Sequence, residues 1–159
     1  MTRLAHLRLA ELTTLVHNTA ADTTAWQRVV RFNSTDRFYA RLHSDSLVDV
    51  WLLTWLHDQS TDLHDHGLSA AAFTVVRGEL LEVRATADAR LSSHRRLPGE
   101  TTWVAPGVVH DVRHSSGPAI SIHAYSPPLD SMTYYEARHG RLEPVRTLDA
   151  DAPEFAGAR

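Results

Sequence analysis

Two histidines one residue apart, in Leu63-His64-Asp65-His66-Gly67, are the clearest chemical signal in this chain of 159 residues. On an extended strand, residues i and i+2 project to the same side, so His64 and His66 can aim two imidazoles at one ion. A third neutral ligand is available from His110, which follows the turn Ala105-Pro106-Gly107 and opens a later strand. Two ligands on one strand and one from a distant strand form a tripod with coordination positions left open, as a catalytic metal requires and a structural one does not. The competing reading is a row of polar residues on the solvent face of a strand. With 11 His among 159 residues, about 0.8 His-x-His pairs arise by chance, so the surroundings must decide.

Composition removes several other chemistries. All 16 basic residues are Arg, and with no Lys there is no Schiff base or lysine nucleophile. The chain has no Cys, which excludes disulfides, Cys-ligated zinc, iron–sulfur clusters and cysteine nucleophiles. A formal charge of −3 argues against a nucleic-acid-binding surface or a polybasic membrane anchor. No apolar run approaches the ~20 residues of a membrane span, and Arg3, His6 and Arg8 interrupt the N-terminal leucines, unlike a signal peptide. A cytoplasmic protein without nucleic-acid or membrane partners, and a monomer, are the expectations.

The elements that must carry these histidines fall into two parts. Residues 1–35 read as helical: Leu4, Leu7, Leu12, Leu15 and Val16 recur near the 3.6-residue period, and Asp22 is placed to cap a second helix with Trp26, Val29 and Val30 inward. From Arg37 the pattern is of short strands with turn signals between them. Arg37–Leu42 alternates, Val48–His57 is apolar on both faces, and Ala70–Val76, Leu80–Thr86, Thr101–Val104, Val108–Val112 and Ala119–Tyr125 follow, with a final hairpin about His139-Gly140. Arg95-Arg96 reads as a charged loop. The expectation is a mainly β protein, a small barrel or sandwich over 37–148 with one or two N-terminal helices, one domain over 1–148, and a loose tail at 149–159.

The histidine segment resembles the first motif of the cupin barrel, His-x-His followed by a Glu and then a Gly. Gly78 stands where that Gly belongs, but the Glu position is Ala71. The second cupin motif is matched by Gly107-Val108-Val109-His110, with Pro106 displaced by one and His114 in place of an Asn. A cupin lacking the carboxylate is a three-His cupin, and three neutral imidazoles leave the full charge of the ion for an anionic substrate. The two-His-one-carboxylate oxygenases keep a protein anion instead.

Among three-His cupins the chain is similar to the cysteine dioxygenase family, from about Arg37 to Pro144. The resemblance rests on Trp55 nine residues before His64, on His64-Asp65-His66-Gly67, on Val109-His110-Asp111-Val112, and on Ser121-Ile122-His123-Ala124-Tyr125-Ser126-Pro127-Pro128, which is similar to the family's Ser-x-His-x-Tyr-Ser-Pro-Pro. It implies Fe(II) held by His64, His66 and His110, with L-cysteine and O2 as substrates and cysteine sulfinate as product. Ser121, His123 and Tyr125 alternate, so all three face one side of a strand, and the resemblance implies a relay that orients the Tyr125 hydroxyl toward the metal. A hydrogen-bonded core network is the alternative, whereas a hydrolase triad lacks the Gly-x-Ser-x-Gly setting. Arg41, in Tyr39-Ala40-Arg41, resembles the Arg that clamps the substrate carboxylate, a task suited to a planar fork of donors. Arg37 is the other candidate for that role. Relatives acting on 3-mercaptopropionate carry Gln there. The chain also departs from the mammalian enzymes, whose Cys is cross-linked to the active-site Tyr: Ala71 stands at that position, so Tyr125 remains an unmodified phenol. A three-His cupin for another thiol, or one giving a different sulfur product, and a non-catalytic binding cupin are the other readings.

Overall fold

The computed structural model describes residues 5–149. One α-helix, α1 (Leu9–Ala21), opens it. Glu11 accepts from the Arg8 backbone N–H and so closes the N-terminal turn. Its apolar stripe, Leu12, Val16 and Ala20, is buried. The second helix expected after Asp22 is instead a pair of 3-10 turns, Thr23–Ala25 and Gln27–Val29. Asp22 does cap the first of them, accepting from Thr24 N. The chain doubles back because the Trp26 indole donates to the carbonyl of Ala20, one of the last carbonyls of α1, at 3.1 Å. Leu4 of the amphipathic pattern lies outside the described residues, as does the expected tail beyond Asp149.

Among the described residues eight strands follow: β1 (Tyr39–Ser44), β2 (Asp49–Trp55), β3 (Ala70–Ala85), β4 (Leu91–Arg96), β5 (Thr101–Val104), β6 (Val109–Ser126), β7 (Ser131–Arg138) and β8 (Arg141–Asp149). All named pairings are antiparallel. β3 and β6 are long and bent, and each serves two sheets. The first half of β3 (Ala70 to Arg77) pairs with the last part of β6 (Ser126 to Ile120), and the second half (Glu79 to Ala85) with the first part (Ser116 to Val109). The first sheet therefore runs β1-β2-β6-β3-β5. The second runs β4-β3-β6 and continues through single bridges, His64↔His110 and His64↔Tyr134, into the β7–β8 ribbon.

The bend explains why sequence patterning split β3 and β6 into four strands. Gly78, at φ +75°, sits at the corner, where an added Cβ would lie 2.6 Å from the Pro118 carbonyl oxygen and 2.8 Å from Ala119 Cα. Only glycine fits, and the register shifts between Val75 and Leu80 mark the same bend. β4 was not expected as a strand. It carries Arg95 and Arg96, which are ladder residues opposite Leu81 and Leu80.

The central strands of the first sheet, β2 with the adjoining parts of β6 and β3, are buried on both faces. Val50, Leu52, Ala70, Ala72, Ile120, Ile122 and Ala124 pack under α1. Trp51, Leu53, Trp55, Ala71, Phe73, Val75 and Tyr125 point into the barrel, where they meet Val104, Val112, Leu129, Met132 and Tyr134. This interior core surrounds the histidines. Among the described residues, no helix is long and apolar enough to cross a membrane.

Candidate metal centre

His64, His66 and His110 converge in the barrel, all buried, with their donor nitrogens within 4.8 Å of one another. They are the one such group of three or more potential ligands among the described residues. The ligand segment is held on both sides by backbone pairing. His64 and His110 exchange N–H···O bonds at 2.9 Å, while Asp65 N donates to the Thr133 carbonyl and Tyr135 N to that of Leu63.

Side-chain tethers reinforce this placement. Asp111 accepts from the backbone N–H and hydroxyl of Thr61, pinning the approach to His64 against β6. Asp65, between the two ligands, points away from them. It accepts from Gly67 N at 3.0 Å and from the Tyr135 hydroxyl at 2.7 Å. Burial and the Asp65 carboxylate push the Tyr135 phenol up to about 12, so it stays a donor at neutral pH.

The outer nitrogens decide what the inner ones can do. His64 Nδ1 lies 2.8 Å from the Asp62 carbonyl, which can only accept, so Nδ1 carries the proton and Nε2 keeps its lone pair. His110 Nδ1 lies 3.0 Å from Oε1 of Glu82, a wholly buried carboxylate, with the same result. Burial pushes the Glu82 carboxyl up, but the hydrogen bonds from His110 and Arg96 and the charge of Arg84 outweigh it and hold it below the usual carboxylate range. His64 Nε2 and His66 Nε2 are 3.0 Å apart. Two nitrogens each about 2.1 Å from one ion, at right angles to each other, have about that separation. Neutral imidazoles, fixed by outer hydrogen bonds and walled by apolar side chains, fit a divalent transition metal.

The other predicted residues sit on the first sheet. Ser121, His123 and Tyr125 alternate along the buried end of β6 and face the barrel interior. The Trp55 indole donates to Ser121 Oγ at 2.8 Å, and Ser121 Oγ is 2.7 Å from His123 Nε2. An indole can only donate, so the serine has its own proton free for His123 Nε2, which favours the tautomer protonated at Nδ1. The His123 ring stacks on Phe73, 4.9 Å between centroids and 9° between planes. The Tyr125 ring lies 5.1 Å from that of His66, which brings this row to the metal cluster.

Arg37 and Arg41 both stack on tryptophans, at 4.7 Å over Trp55 and 4.4 Å over Trp51. Arg37 is buried and donates to the Ser60 carbonyl at 2.7 Å. Arg41 is exposed on β1, in a cross-strand row with Trp51, His123 and Phe73.

Two further histidines stand outside the site. His57 has a side chain 87% exposed. His114 gives its Nε2 to the Gly117 carbonyl. Sequence reasoning missed Glu82, Arg84 and Arg96, since a Glu sixteen residues after His66 and an Arg pair between turns carry no spacing signal of their own. Trp55, which entered the resemblance only by its spacing from His64, also anchors Ser121.

Comparison with known proteins follows the same outline. The Danio rerio cysteine dioxygenase type 1 is 22% identical over 154 residues, covering 88% of this chain and 76% of the relative. A Klebsiella pneumoniae protein with a double-stranded β-helix domain superposes with a TM-score of 0.57 at 16% identity, over 76% of this chain and 93% of that one. A cupin 2 conserved barrel domain protein from Leptotrichia buccalis superposes at 0.54 and 16% identity, over 63% and 45%. The solved structures establish the cupin fold. The family match to cysteine dioxygenase type I runs over residues 2–138, taking in the His64–His66 segment, which joins the sheet by isolated bridges rather than as the expected strand, then β6 with His110, Ser121, His123 and Tyr125, and β7. The chain therefore belongs to the cysteine dioxygenase type I family.

Proposed function

We propose that this protein is an iron(II)-dependent thiol dioxygenase that converts L-cysteine and O2 to cysteine sulfinate. The observation that carries the reading is the buried set of three converging imidazoles, with no carboxylate in the group, in a chain of this family. Iron(II) held by His64, His66 and His110 would supply the redox chemistry with dioxygen that no side chain offers, both oxygen atoms passing to the sulfur.

The protein's own part is binding and orientation. The Arg41 guanidinium, backed by the Trp51 ring, is the group to take the substrate carboxylate, because Arg37 already donates to Ser60 and lies buried against Trp55. The Tyr125 hydroxyl, beside His66, would hydrogen-bond the bound substrate, with His123 and Ser121 steadying the strand face it shares. Apolar walls from Phe73, Val104, Leu129 and Met132 keep bulk water from an oxidisable sulfur. We place the enzyme in the cytoplasm as a monomer.

The test is anaerobic reconstitution with Fe(II), then dioxygen uptake with a panel of thiols and mass analysis of the products. Cysteine gaining two oxygen atoms for one dioxygen consumed is the expected result. Uptake with 3-mercaptopropionate alone, or a product of another mass, would keep the site and change the substrate or outcome. Bound iron with no uptake on any thiol would return the protein to a metal-binding cupin without catalysis.

A further inference from the structure

Three neutral imidazoles put no protein anion in contact with a divalent ion, yet a buried carboxylate stands one hydrogen bond away. Glu82 Oε1 lies 3.0 Å from His110 Nδ1, on the far side of the ring from the converging nitrogens. Its two oxygens have divided tasks. Oε1 takes His110 and, at 3.0 Å, Arg84 Nε, while Oε2 takes the fork of Arg96 through Nε at 2.9 Å and Nη2 at 2.6 Å. A carboxylate gripped at both oxygens cannot turn away from the ligand.

Packing alone does not explain this cluster. Burying an ion pair is costly, and an apolar residue of similar size at position 82 would commonly be as stable or more so. It would, however, leave the buried His110 Nδ1–H without its acceptor. The same two strands hold a comparison. Glu79 is paired with Arg95 and Ser115 nearer the surface and touches no ligand. Two Glu–Arg pairs thus bridge β3 and β4, and only one reaches the metal cluster.

We propose that Glu82 is a positioning residue: gripped by Arg96, it fixes His110 for coordination and supplies through the imidazole the negative charge that the three-His set lacks, so that metal affinity and the ferric–ferrous balance are set in part from β4. A carboxylate accepting the outer N–H makes an imidazole a stronger electron donor to the ion, and more so to the ion of higher charge. The inference rests on the metal-binding part of the function proposed above and is independent of which thiol is oxidised.

The experiment compares Glu82→Gln, Arg96→Gln and Glu79→Gln in the full-length chain. Co(II) and Fe(II) affinities are measured by chelator competition, with the absorption spectrum of the Co(II) form and the Fe(III)/Fe(II) potential. Glu82→Gln keeps the size and an acceptor but loses the charge. It should weaken metal binding about ten- to a hundredfold, raise the potential and shift the Co(II) bands. Arg96→Gln should move all three in the same direction by less, and Glu79→Gln should leave them unchanged. Parental affinity and potential in Glu82→Gln would overturn the proposal, as would equal shifts in Glu79→Gln. If Glu82→Gln does not fold, Arg96→Gln decides, since a folded protein with unshifted affinity and potential would refute control from β4. A wild-type protein that binds neither metal also overturns it. One that binds metal but oxidises no thiol overturns the dioxygenase reading alone.

Discussion

In the first sheet, Ser121, His123 and Tyr125 lie on a stretch of β6 buried at every residue from Ala119 to Ser126, beside β2, which is buried throughout. In the second sheet, His64, His66 and His110 are brought together by isolated bridges and by side-chain ties from Asp65, Glu82 and Asp111. The first arrangement is fixed by volume, with α1 on one face and the barrel interior on the other. The second is fixed by charge and hydrogen bonding in a segment, 60–66, that has no regular ladder of its own. Side chains placed by packing tolerate the loss of one polar contact but not of a large ring. Side chains placed by polar ties show the reverse.

The largest effect expected is at the metal. His110→Ala removes one of three ligands and leaves Glu82 buried without its histidine, so metal content should fall to background by elemental analysis, and any thiol oxidation with it. A variant that kept stoichiometric metal would break the assignment of the tripod. Next comes the packed side. Phe73 is 1% exposed and carries the His123 ring. Phe73→Ala should cost about 3–5 kcal/mol in denaturant unfolding. A loss below about 1 kcal/mol would show that the first sheet is not held by volume.

The two arginines sharpen the contrast on a smaller scale, since they share a residue type and a tryptophan platform. Arg37→Ala removes a buried donor to Ser60 and should cost stability, about 1–3 kcal/mol, with modest effect on substrate binding. Arg41→Ala should leave stability and metal content near parental and raise the KM for cysteine about tenfold or more. Steady-state kinetics with cysteine and with cysteamine, which lacks the carboxylate, separates the two. A KM effect equal for both thiols would remove the clamp role from Arg41.

Both sheets were legible in the sequence where side-chain type and alternation carry the information. His64 and His66 announce themselves by spacing, His110 by its turn, and β2 by a run apolar on both faces. What escaped was set by long-range geometry. The sequence pattern breaks between Val76 and Leu80 and between Val112 and Ala119, whereas the ladder passes through the bend with shifted register. β4, Leu-Ser-Ser-His-Arg-Arg, is almost wholly exposed and shows no alternation, and only its pairing with β3 gives it a place. Arg96 looked like a loop charge because its partner lies fourteen residues away on another strand. The turns after Asp22 replaced a helix because Trp26 found its partner on α1, a contact that no local pattern encodes.

The smallest effect expected distinguishes the two Glu–Arg pairs by pH. Arg95 and Ser115 hydrogen-bond the Glu79 carboxylate, and with the Arg95 charge they hold its carboxyl at about 2 against an ordinary 4.5. A lowered folded-state value means the ionised form stabilises the fold. That contribution is whole above about 4.5 and drains away as the pH falls toward 2. Glu79→Gln lacks it at every pH, so the melting temperatures of variant and parent should differ above that window and converge below it. The pair is near the surface, so the gap should be small and should shrink with added salt. A gap independent of pH would mean that the Glu79 side chain contributes through packing rather than charge. The two acids on β3 would then differ in kind and not only in depth.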